Sequence, residues 1–101
     1  MSRVLSRDER GSVRLSEAAL AQIVGGAVGQ VEGARLRKGR RRLTLELADG
    51  HAHAQLELAV AHGRFIPDVA RSVQERVAES LAQMCALEVD AVDVDVVELD
   101  S

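Results

Sequence analysis

The sequence predicts an α+β domain of two layers, two amphipathic helices packed on one face of a small mixed sheet, in the order β-α-β-β-α-β with a weak first strand. Three observations carry this prediction. Two helical apolar stripes lie far apart in the chain, a strictly alternating stretch between them turns at Asp49-Gly50, and a valine-rich alternating segment follows the second stripe. At 101 residues, 47% apolar and 29% charged, the chain has the length and balance of one globular domain. Residues 1–10 are polar and aperiodic and read as a flexible tail, which leaves 11–101 as a single domain.

Gly11 to Leu15 forms the weak strand, with Val13 and Leu15 on one face. Ser16 is the N-cap of the first helix, and Leu15 and Leu20 have the spacing of a hydrophobic staple. Leu20, Ile23, Val24, Ala27, Val28 and Val31 recur along one helical face, and Glu32-Gly33 ends the run. In the hairpin, Leu43, Leu45 and Leu47 alternate with polar residues, and Asp49-Gly50 suits the positive φ angles of a two-residue turn. Alternation resumes with Ala52, Ala54, Leu56, Leu58 and Val60 inward. Counting back from the turn pairs Ala48 with His51, Leu47 with Ala52, Glu46 with His53, Leu45 with Ala54, Thr44 with Gln55, Leu43 with Leu56 and Arg42 with Glu57. The second helix starts near Ile66-Pro67, since proline suits a first helical position. Its expected buried stripe is Val69, Val73, Val77, Leu81 and Met84, flanked by Ala70 and Cys85. The last strand turns Val92, Val94 and Val96 inward and Asp93 and Asp95 outward.

Composition excludes several chemistries. With one Phe, no Tyr and no Trp, the chain lacks platforms for base stacking or an aromatic cage. A lone cysteine forms neither an internal disulfide nor a Cys-rich zinc cluster. The N-terminal stretch has no apolar run, so no signal peptide and no membrane span are expected, and the cytoplasm is the expected compartment. Net charge is −3, yet the signs are segregated. Arg35 to Arg42 is dominated by basic residues, Arg40, Arg41 and Arg42 among them, and Glu88 to Asp100 carries six acidic residues and no basic one. The segregation offers complementary poles for self-association or for an anionic partner.

The order of elements, with Gly11-Ser12-Val13-Arg14-Leu15-Ser16, Gln30-Val31-Glu32-Gly33-Ala34, His62-Gly63, Ile66-Pro67-Asp68-Val69-Ala70-Arg71-Ser72-Val73-Gln74 and Ala91-Val92-Asp93-Val94, resembles the alkaline shock protein family of bacterial envelope stress response proteins. Its usual Tyr-Gly is here His62-Gly63, its Met-Thr-Gly-Leu is Met84-Cys85-Ala86-Leu87, and its Asn is Asp93. The resemblance implies a non-catalytic cytoplasmic protein. It further implies self-assembly and association with the envelope through a membrane-anchored protein partner.

Sites of chemistry are few. His51 and His53 share a strand face, where an H-x-H pair offers two metal ligands, but no third ligand is placed by sequence. Asp93 and Asp95 likewise share a face without an apolar setting to tune them for acid-base work. Cys85 sits beside a buried stripe, away from any cation that would activate it. No nucleophile elbow, phosphate loop or zincin motif occurs, so neither catalytic residues nor a cofactor or metal are assigned.

The strongest pointer is the first helix. No residue between Glu17 and Glu32 is charged, and Gln22, Gly25, Gly26 and Gly29 lie opposite the apolar stripe with Ala18 and Ala21. Each internal glycine costs a helix about 1 kcal/mol relative to alanine, and a solvated face normally carries Lys and Glu. Such a face suits close approach of another backbone. Together with Arg40, Arg41, Arg42, Asp93 and Asp95 it forms the candidate interaction surface of a self-associating adaptor without membrane insertion of its own. The alternative is a small KH-like RNA-binding domain, reading Gly26-Ala27-Val28-Gly29 as a GxxG clamp and Arg35–Arg42 as a phosphate-contacting arm. The mid-helix position of the motif and the lack of aromatics count against nucleic acid.

Overall fold

In the computed structural model, which describes residues 3–8, 11–37 and 42–100, the sheet is built on one long strand. The elements run β1 (Arg3–Asp8), β2 (Gly11–Leu15), α1 (Glu17–Gly29), β3 (Ala34–Leu36), β4 (Leu43–Ala48), β5 (His51–Ala61), α2 (Ile66–Cys85) and β6 (Glu88–Asp100). β4 pairs antiparallel with residues 51–56 of β5, and β3 pairs antiparallel with Leu58–Val60. The two therefore lie end to end along one edge of β5. β6 runs parallel along the other edge, so the sheet is mixed. Glu57 marks the junction between β3 and β4. Its N–H donates to the Arg42 carbonyl at 2.9 Å, and its carbonyl accepts from the Arg37 N–H at 2.8 Å.

The hairpin has the register that alternation predicts, from Ala48 opposite His51 to Leu43 opposite Leu56. Asp49 at φ 52° and Gly50 at φ 79° supply the turn. Leu20, Val24, Ala27 and Val28 of α1, Val69, Val73, Val77, Leu81 and Cys85 of α2, and the inward residues of β5 from Ala52 to Val60 form one buried core. Both helices consequently cover the same sheet face. The N-cap of α1 is Ser16, whose hydroxyl accepts from Ala19 N–H at 3.1 Å. Gln74 donates its side-chain amide to the Val92 carbonyl at 3.0 Å and ties α2 to β6.

Four expectations need correction. Residues 3–8, read as part of a tail, form β1, which pairs with β2 in a ribbon separate from the main sheet. Hydrophobic periodicity does not report such a pairing, because it is made by backbone groups. α1 stops at Gly29 instead of Glu32-Gly33. Beyond it, Gln30 and Val31 donate to Ala27 and Val28, so the last turn tightens to i−3 bonds while Val31 stays buried. β3 was not expected, since Ala34-Arg35-Leu36 is too short to show a period. Met84, expected in the buried stripe, is 67% exposed. It edges an open groove whose α1 wall has small residues, Ala19, Gly26 and Ala27, beside Gln22, Ile23 and Gln30, so the wall leaves its thioether uncovered.

Candidate interaction surfaces

The uncharged side of α1 divides between an internal and an open part. A Cβ on Gly25 would stand 3.7 Å from Leu36 Cδ1, so Gly25 is turned to the chain's own β3 and leaves the interaction surface. Positions 26 and 29 are different. A Cβ on Gly26 or Gly29 would meet nothing within 4 Å, and both residues are exposed, as is Gln22. Between α1 and α2 runs an open groove of about 390 Å³ lined by Gln22, Ile23, Gly26, Gln30, Ser80 and Met84, among others. Gln22, Gly26 and Met84 thus come together there, and Met84 is the member that periodicity misplaced. The middle residues of the GxxG, Ala27 and Val28, are buried core within α1, which removes the geometry of a nucleic-acid clamp.

The outer sheet face carries the charge. Arg35 donates from Nε and Nη2 to both carboxylate oxygens of Asp100 at 2.9 and 3.0 Å. Arg37 bridges Glu98 at 3.2 Å and Glu57 at 3.3 Å. These side chains reach from β3 across β5 to β6. The crossing is possible because Ala59, which stands between Arg35 and Glu98 in register, is small; it is fully buried although it lies outside the core cluster. The hydrogen bond from Arg35 holds the Asp100 carboxyl below its ordinary range, and the same bond raises the guanidinium. Part of the basic cluster and part of the acidic strand therefore satisfy one another inside the chain. The expected poles are weaker than the linear sequence suggests. Arg42 is exposed on the β3/β4 edge, and Arg40 and Arg41 lie outside the described residues.

Asp93 and Asp95 share the outer face as expected, but they do not act as a pair. Asp93 meets His53 Nε2 at 2.6 Å, whereas Asp95 is in register with Glu57. His51 lies 2.9 Å from Asp90 through Nδ1 and 3.2 Å from Glu88 through Nε2. Hydrogen bonds to Asp90 and Asp93 raise His51 and His53 respectively. Each ring thus lies among carboxylates of β6 and its neighbours, and no group of three or more His, Cys, Asp or Glu able to hold a metal ion occurs among the described residues. Cys85 is buried, and burial pushes its thiol up, away from the reactive thiolate.

At the α1 exit, Arg64 donates to Glu32 at 2.6 Å and lowers the Glu32 carboxyl. Gly33, at φ 86°, lies directly beneath the Arg64 side chain. The valine-acid-glycine motif is thus a docking point for the β5–α2 turn. The ion pairs escaped sequence reading because the parallel register of β6 on β5 is set across a whole helix, with no turn from which to count. Complementary signs at Arg35-x-Arg37 and Glu98-x-Asp100 were the available signal.

The sequence profile of the alkaline shock protein family, described as having a cell envelope-related function, matches residues 36–101. The motifs over residues 11–16 and 30–34 precede that stretch. No curated protein matches the chain. Among solved structures it is similar to MamM C-terminal domains. One variant form gives a TM-score of 0.57 at 15% identity, covering 85% of this chain and 100% of that one. A copper form of another variant gives 0.56 at 15% identity, covering 85% and 100%. At such identity the likeness establishes the α+β fold and leaves function to the site.

Proposed function

Since the chain belongs to the alkaline shock protein family, with its cell envelope-related function, we propose that it acts without catalysis as a self-associating assembly or adaptor module. In this reading it resides in the cytoplasm and is brought to the membrane by an anchored protein partner. The observation that carries the reading is the open, uncharged part of α1. Gly26 and Gly29 face open space beside a groove edged by an exposed Met84. A helix that accepts the cost of glycines on a solvent-facing side lets a second backbone approach closely. The envelope link needs a partner in this reading, because no helix among the described residues is long and apolar enough to cross a membrane.

Light scattering after size exclusion, across protein concentration and salt, tests this directly. The wild type is expected to gain mass with concentration, and Gly26→Leu to lose that gain. Because a Cβ at position 26 meets nothing within 4 Å and the groove beside it is open, the variant should keep its fold and gain about 1 kcal/mol through helix propensity. Stability rising while assembly falls separates an interface from a folding defect. A Gly26→Leu protein that assembles like the wild type removes this face from the interface, and a wild type that stays monomeric throughout removes the assembly reading.

A further inference from the structure

We propose that His51 and His53 form a protonation-dependent clamp that locks the first half of β6 onto β5, and that this half loosens when both imidazoles are neutral. Each ring has one hydrogen-bonded carboxylate and a second carboxylate within ion-pair distance of its other nitrogen. His51 sits between Asp90 on Nδ1 and Glu88 on Nε2, at 2.9 and 3.2 Å. His53 sits between Asp93 on Nε2 at 2.6 Å and Glu46 on Nδ1 at 3.8 Å, and so spans β4, β5 and β6. A neutral imidazole donates from one nitrogen and suffices for the single hydrogen bond, whereas the protonated ring also attracts the second carboxylate.

Among the described residues, the charged groups that act on the two rings are carboxylates. They are Glu46 from β4, Asp49 from the turn, and Glu88, Asp90 and Asp93 from β6. Asp90 has a special place among them. Ala52 pairs with Val89 and His53 with Ala91, so Asp90 is the extra residue of a bulge in β6. A bulge interrupts the ladder and re-aims a side chain, and here the re-aimed carboxylate holds His51. When the rings lose their protons, these carboxylates lose their counter-ions at the place where the ladder is already broken.

The sign follows from the direction of both shifts. Both histidines are raised, so the stabilisation is complete below the ordinary imidazole range and is lost as pH rises through the raised values. The far half of β6 supplies an internal reference. Arg35 and Arg37 hold Glu98 and Asp100 there, and guanidinium keeps its charge throughout.

Hydrogen exchange of backbone amides, corrected for intrinsic rates and followed from about pH 5 to about pH 9 across the imidazole titration, is the test. Amides of residues 88–94 are expected to lose protection as pH rises, while those of 96–100 keep theirs. Replacing both rings by permanent cations, His51→Lys with His53→Lys, should hold residues 88–94 protected at high pH, and His51→Gln with His53→Gln should leave them poorly protected at every pH. Equal protection of both halves at all pH values would overturn the clamp. So would a lysine variant that loosens as the wild type does.

Discussion

At position 86 a non-glycine residue adopts the left-handed conformation: Ala86, the C-cap of α2, has φ 55°. An L-residue there costs roughly 1–2 kcal/mol, and the family carries glycine at the equivalent place in its Met-Thr-Gly-Leu motif. Ala86→Gly should therefore raise stability by about 1 kcal/mol, read as a higher Tm. Gly33 behaves in the opposite sense. It combines φ 86° with an Arg64 side chain 3.0 Å from where a Cβ would lie. Gly33→Ala should cost about 1–2 kcal/mol in denaturant unfolding, and should also disturb the Arg64–Glu32 pair. Positions that share a φ signature thus have different meanings, since Gly50 serves a hairpin turn with open space around it.

Among the elements, the β4–β5 hairpin was fully legible, because its turn residues and its alternation specify one register and a slip by one residue would expose every leucine. Both helices were legible over their buried faces for the same reason of period. Their ends were less so. The tightened last turn of α1 depends on where Val31 finds cover, and the exposure of Met84 depends on what α1 puts opposite it. β6 was legible as a strand, but its partner groups were not. Its bulges at Asp90 and Val97 shift every later pairing on β5 by one residue. Gln74 is the side chain that ties α2 to this strand, through the Val92 carbonyl. Gln74→Ala should cost about 1 kcal/mol of stability, with faster amide exchange near Val92 than elsewhere in β6. In the candidate surface, Gln22, Gly26 and Gly29 were legible from the missing charges, whereas Gly25 required knowledge of where Leu36 packs.

On the scale of the whole molecule, the two ends of the outer sheet face answer pH in opposite directions. Asp100 is lowered by Arg35, so its contribution is present above the ordinary carboxylate range and is lost as pH falls through the lowered value. The histidine end weakens instead as pH rises. Thermal scans should show stability declining on both sides of an intermediate window. Arg35→Gln should make the acid limb shallower, the Glu32–Arg64 pair keeping the rest, and leave the alkaline limb in place; added salt should shrink the Arg35 effect because the pair is solvent-exposed. The internal pairing of Arg35 and Arg37 also reduces the charge offered to an anionic surface. Flotation with anionic liposomes should accordingly show weak binding that salt abolishes. Binding that persists at high salt without a partner would contradict the adaptor reading.

The parallel seating of β6 on β5 has a consequence for the order of folding. The strand that completes the sheet is translated after all the others, with the whole of α2 between it and its template. Until residues 88–100 dock, the edge of β5 that they cover is bare, which is a ready template for strands of other chains. Pairing over such sequence separation is slow to form. Chaperone demand and aggregation during synthesis should therefore concentrate in that interval, and substitutions that weaken β6 should lower the yield of folded protein more than they lower its equilibrium stability.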